Sequence, residues 1–166
     1  MKLTPLALVA LLVLTACGDA GAEERVTGVI AADPWVRTTD GAQMPEMTAL
    51  YVNLTNPGPE DVSIIGADCG DVAEAAEIHE MVMLDGDMVM RKAENGLVVP
   101  RESHLHMAPG GPHVMLMGLT RQLPAGSEEI ACVLEFDNDQ TIEVVAPVKQ
   151  FTEEQDTYHT HAPSDG

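Results

Sequence analysis

The sequence predicts an all-β domain, a sandwich or small barrel, and two observations carry that prediction. From about Val26 to Lys149, short apolar runs recur every 8–15 residues or so, separated by Gly, Pro, Asn and Asp, the pattern of strands joined by turns. No stretch sustains the apolar period of a long helix. Only Asp71–Glu77, "DVAEAAE", has helix-forming composition, and it is short.

Taken in order, the chain opens on a targeting segment, residues 1–16: one Lys, then an apolar run from Leu3 to Leu14 that is too short to span a bilayer. Two processing readings fit. "LTAC" (Leu14–Cys17) resembles a bacterial lipobox, in which Cys17 is lipidated and becomes the new N-terminus. "AGA" (Ala20–Ala22) suits an ordinary signal peptidase. The lipobox is the more specific pattern, and it implies a periplasmic protein held at the membrane by a lipid anchor. Residues 17–25 form a short tether, and the domain occupies 26–150. "TALYVNLTN" (Thr48–Asn56) alternates and stops at the turn cluster "PGPED". The runs "VSIIGA", "EIHEMVML", "DMVMRK", "GLVVP", "HVMLMGL", "EIACVLEF" and "TIEVVAPV" supply further strands. Residues 151–166 are polar and unpatterned, as in a flexible tail.

Composition removes several functions. The net charge is −19 with only eight Lys and Arg, so nucleic acid is excluded as a partner for want of clustered cations. No Ser-His-Asp constellation, GxSxG, phosphate loop or HExxH is present, and no enzyme activity is expected. In an exported chain the two cysteines beyond Cys17, Cys69 and Cys132, are expected to form a disulfide; they lie 63 positions apart without a CxxC.

The chemistry is concentrated in "EIHEMVMLDGDMVM", Glu77–Met90, which holds four of the ten methionines. Asp85-Gly86 is a strong signal for a two-residue hairpin turn. That turn makes Met83 face Met88, Met81 face Met90, and His79 face Lys92 with Met90 on the diagonal. Alternation then gathers His79, Met81, Met83, Met88 and Met90 on one face. A second run, "PGGPHVMLMGL", puts His113, Met115 and Met117 on one face of another strand. Met commonly fills core gaps, but two strands that each pair His with Met on one face are hard to explain by packing. Thioether with imidazole selects a soft ion, Cu(I), whereas zinc sites usually use thiolate, imidazole or carboxylate.

These residues resemble the periplasmic copper chaperone family PCuAC, whose signature is His, ten residues, Met, about twenty-one residues, then His-x-Met. Here ten residues separate His79 from Met90, and twenty-two separate Met90 from His113-Val114-Met115. "DPWVR", "MTALYVNLTNPG" and "LTRQL" extend the likeness over residues 26–150. The resemblance implies a cupredoxin-like Greek-key β-fold and Cu(I) ligands His79, Met90, His113 and Met115. It also implies delivery to the copper domain of cytochrome oxidase, its CuA site, or to another copper assembly factor. Met81, Met83 and Met117 fall outside the signature and are expected to pack or to support the ligands.

Three further groups are weaker candidates: His104, His106 and Met107 as an auxiliary site, Met44 and Met47 as loop neighbours of the main one, and the tail's His159 and His161 as a Cu(II) site. A blue-copper electron carrier is disfavoured, because neither Cys69 nor Cys132 has the His and Met neighbours such a site needs. Copper storage without a dedicated recipient is the alternative function. A monomer is expected.

Overall fold

The computed structural model describes residues 28–150. Ten strands follow in chain order: β1 (Ile30–Arg37), β2 (Met47–Asn56), β3 (Val62–Asp68), β4 (Ala73–Leu84), β5 (Asp87–Lys92), β6 (Leu97–Val99), β7 (Ser103–His106), β8 (His113–Leu119), β9 (Glu129–Phe136) and β10 (Thr141–Lys149). The order β5-β4-β8-β2-β1-β10-β9-β3-β6 forms one continuous hydrogen-bonded path. It folds into two layers joined through β1 and β10, which pair in parallel while the other pairs are antiparallel. Along one edge, β2 pairs first with β8 and then, over Asn53–Asn56, with β7. The result is the expected β-sandwich.

Alternation builds the core. Ile130, Cys132, Leu134 and Phe136 of β9 point inward, as do Leu50, Val52 and Leu54 of β2, Ile78 of β4 and Val114 and Leu116 of β8. Burying each such side chain stabilises the fold by about 1.5–3 kcal/mol. The disulfide Cys69–Cys132 lies in this core, its Cα atoms 4.1 Å apart.

Two segments depart from their local composition. "DVAEAAE" becomes a single 3-10 turn, Gly70–Val72, and then the start of β4. Ala75, Ala76 and Glu77 pair there with Met117, Leu116 and Met115 of β8, so sheet pairing overrides weak helix propensity. β1 carries Pro34 inside a central strand, where the missing N–H ordinarily forbids it. A register shift between Ala32 and Trp35, with Asp33 at φ 51°, places Pro34 in a bulge and removes it from the ladder.

Candidate metal centre

The β4–β5 hairpin has the register that its Asp-Gly turn dictates. Asp85 and Gly86 both take positive φ, 52° and 97°, as a type I′ turn requires. Met83 faces Met88, Met81 faces Met90 and His79 faces Lys92. On its other side β4 pairs with β8, so that His79 lies opposite His113 and Glu77 opposite Met115. β8 in turn sets Met115 opposite Ala49 and Met117 opposite Met47 of β2. These pairings stack side chains in rows across the outer face of the sheet, away from the core: Met90 with Met81, then Lys92, His79 and His113, then Glu77, Met115 and Ala49.

The two imidazoles are neighbours, with ring centroids 5.7 Å apart. Two rings sharing one ion at about 2 Å per metal–nitrogen bond have centroids up to about 6 Å apart, so this separation suits a common ion. Hydrogen bonds decide which nitrogen each ring can offer. His113 Nδ1 lies 2.9 Å from the Gly111 carbonyl, which can only accept, so Nδ1 carries the proton and Nε2 keeps its lone pair. Burial holds the His113 imidazole below the usual histidine range, outweighing the Gly111 hydrogen bond, which acts the other way, and His79 adds a smaller lowering. The net effect favours the neutral ring that a metal needs.

His79 is the mirror case. Its Nε2 lies 3.2 Å from Glu77 Oε2, and Lys92 Nζ donates to Glu77 Oε1 at 2.9 Å. The Lys92 hydrogen bond, then that of His79, holds the Glu77 carboxyl below the usual carboxylate range. An ionised carboxylate only accepts, so the His79 proton sits on Nε2. That leaves Nδ1 bare, and it is buried without a hydrogen-bond partner. A buried polar atom with no partner is costly and calls for an explanation; a cation bound at Nδ1 supplies one. Carboxylate–histidine–metal chains of this kind orient many metal-bound imidazoles.

A hollow of about 540 Å³ opens beside these rings. Its walls include Met44, Met47, Met81, Met90, His113 and Met115, with Tyr51 and Ala49 of β2 beneath. His79 stands next to His113 but not on the wall, its side chain 13% exposed. Among the described residues no three His, Cys, Asp or Glu side chains converge as a metal-binding group. Beside the two histidines, the hollow offers the thioethers of Met81, Met90 and Met115 as further soft donors.

The profile of the family described as "Putative lipoprotein LpqE-like" matches residues 29–148. The chain belongs to the LpqE-like family. A relative from Leifsonia xyli subsp. xyli (strain CTCB07), "Putative lipoprotein Lxx21020", is 34% identical over 135 residues, covering 81% of this chain and 78% of that one. Among solved structures, the copper-bound PCuAC domain from PmoF2 is 20% identical with a TM-score of 0.58, over 76% of this chain and 97% of that chain. The solution structure of CuI-DR1885 from Deinococcus radiodurans is 27% identical with a TM-score of 0.55, over 84% of this chain and 89% of that one. This LpqE-like chain thus shares the cupredoxin-like fold of PCuAC domains.

Within the LpqE-like domain, Met90, His113 and Met115 line one hollow and His79 adjoins it. The extra residue between Met90 and His113 falls in the 91–112 connection, which also carries β6 and β7. Met44 and Met47 reach the same hollow. His104 and His106 are exposed on β7, which pairs with a different part of β2, and His106 bonds Asn53; they do not join the site. Met107 is in the core. Met83 does not pack as its place outside the signature suggests: it is 65% exposed. Sequence reasoning passed over Glu77 and Lys92, although Glu-x-His was a usable signal for an imidazole with an orienting carboxylate. Cys17, His159 and His161 lie outside the described residues.

Proposed function

We propose that this LpqE-like protein is an exported Cu(I) chaperone that binds one copper ion through His79, Met90, His113 and Met115. One observation carries the reading: the His79 ring, whose buried Nδ1 has no partner, has its centroid 5.7 Å from that of the His113 ring, whose Nδ1 is committed to the Gly111 carbonyl, next to a hollow walled by thioethers. Its likeness to a copper-bound PCuAC domain supports the same ion. Burial favours the neutral His113 ring, whose N–H is committed to the Gly111 carbonyl, and thioether sulfur needs no deprotonation to bind.

The recipient is the CuA domain of cytochrome oxidase or an assembly factor for it. Met90 is 47% exposed, so an incoming ligand can displace its sulfur before the histidines let go. Transfer is ligand exchange, one metal–ligand bond at a time, and no substrate is turned over. Lipidation of Cys17 would keep the chain at the periplasmic face of a membrane, and the tail's His159 and His161 would take Cu(II).

A Cu(I) titration against a competing chelator tests the site, followed by transfer to an apo CuA domain. One tight equivalent, a sulfur shell in X-ray absorption and loss of binding in His113→Ala are expected. A spectrum with only oxygen and nitrogen scatterers would refute the ligand set. Loss of oxidase assembly at low copper on deleting the gene, rather than loss of survival at high copper, separates delivery from storage.

A further inference from the structure

We propose a second, outer Cu(I) site on the β4–β5 hairpin, formed by Met83 and Met88, which loads the central site through Met81 and Met90. The proposal rests on the chaperone reading above and extends it to how copper arrives.

Met83 and Met88 face each other across the hairpin, and Met81 and Met90 do so two residues further in. Alternation puts both pairs on the face that carries His79 and His113. The outer pair is 65% and 54% exposed, so neither side chain is filling a core. Met is not among the residues that favour strands, and β5 is the edge of the sheet, where exposed apolar side chains invite aggregation. Packing, propensity and protection of the edge all argue against Met at these positions. Thioether chemistry is what remains.

The geometry suits a relay. Facing side chains on a hairpin have Cβ atoms about 4.5–5.5 Å apart, close enough for two flexible thioethers to hold one Cu(I) in near-linear coordination. The next rung lies about 6.8 Å along the strand, within the combined reach of two Met side chains. Beside the outer rung lie Asp85 of the turn and Asp87 at the start of β5, whose charges gather cations without offering a competing soft ligand. At the inner rung, Met81 and Met90 already line the hollow shared with His113 and Met115.

The step balances simply. A sulfur of Met81 or Met90 binds the ion, making it three-coordinate, and a sulfur of Met83 or Met88 then leaves. A second exchange brings the ion to the inner rung, and a third to the imidazoles. Copper stays Cu(I) throughout, and no proton or electron moves.

The test compares the full chain with its Met83→Leu/Met88→Leu variant, which keeps side-chain volume at exposed positions and should fold normally. Cu(I) is supplied as its acetonitrile complex, and loading is followed by stopped flow against a colorimetric chelator. The wild type should take two equivalents, one tight and one weak, with the weak one shifting the Met83 and Met88 methyl resonances. The variant should lose the weak equivalent and load the tight one about tenfold more slowly, with the tight affinity unchanged. Equal stoichiometry and equal loading rates would overturn the outer site while leaving the central one standing. Loss of the tight equivalent in His113→Ala reports on the central site separately. If the double variant loads normally but fails to pass copper to an apo CuA domain, the methionines form a protein-docking surface and the relay is wrong.

Discussion

Replacing Cys69 and Cys132 together by alanine should cost this protein about 4 kcal/mol. The bridge closes a loop of 63 residues, and the chain-entropy relation for a loop of that size gives about 4 kcal/mol at 25 °C. The loss adds to whatever void the two sulfur atoms leave, since both cysteines are buried, Cys69 at 4% and Cys132 at 1% exposure. Cys69 directly precedes the turn that launches β4, the strand carrying Glu77, His79 and Met81, whereas Cys132 lies on β9 in the opposite layer. Cys69 also directly follows β3, whose Asp68 pairs with Val133 of β9, so the bridge fastens the end of β3, and with it the entry to β4, to β9. With a urea slope of about 2 kcal/mol per M, the unfolding midpoint should fall by about 2 M in the double variant. A fall under about 0.5 M at unchanged slope would refute the entropic argument, and a changed slope would point to the denatured state instead. If the central site binds copper as proposed, Cu(I) at a hundred times its dissociation constant should restore about 2.7 kcal/mol. Copper that fails to raise the midpoint would count against the site, independently of the disulfide.

Three other outcomes follow from the same geometry. Glu77→Gln keeps the shape but removes the carboxylate that fixes the His79 tautomer, so Cu(I) affinity should drop about tenfold or more; nitrogen NMR of His79 should show both tautomers, and a wild-type affinity would discount the orienting role. For the copper-free protein, burial holds His113 below the usual value of about 6.5, so the unfolded chain binds a proton that the folded chain refuses. The stability this contributes is fully present above about pH 6.5 and declines as pH falls towards the lowered folded value; urea midpoints for wild type and His113→Gln should converge in that direction. Gly86→Ala forces a side chain into the left-handed region at φ 97°, costing about 1 kcal/mol or more, and should speed hydrogen exchange at the Val82 and Val89 amides; unchanged exchange would mean the hairpin register does not depend on this turn.

The sequence by itself determined what local geometry can determine. An Asp-Gly turn has few conformations, and one of them sets the hairpin register, so the facing of Met81 with Met90 and Met83 with Met88 was legible without any long-range information. The same holds for alternation, which separates His113, Met115 and Met117 from Val114 and Leu116. The PCuAC-like spacing pointed to the fold and to a candidate ligand set. Pairing between strands distant in sequence was another matter. Only the β4–β8 and β2–β8 registers bring His79 against His113 and Met47 against Met117, and a shift of one residue in the β4–β8 pairing would turn the imidazoles away from each other. Glu77 became visible as an orienting group only when Lys92 and His79 were seen on its two oxygens. Pro34 in a central strand and the strand made from "DVAEAAE" likewise depend on tertiary partners, through a bulge in one case and through pairing with β8 in the other. Backbone preferences act over a few residues and can be read in order along the chain; register is settled by burying one face of every strand at once, and that is a property of the whole sandwich.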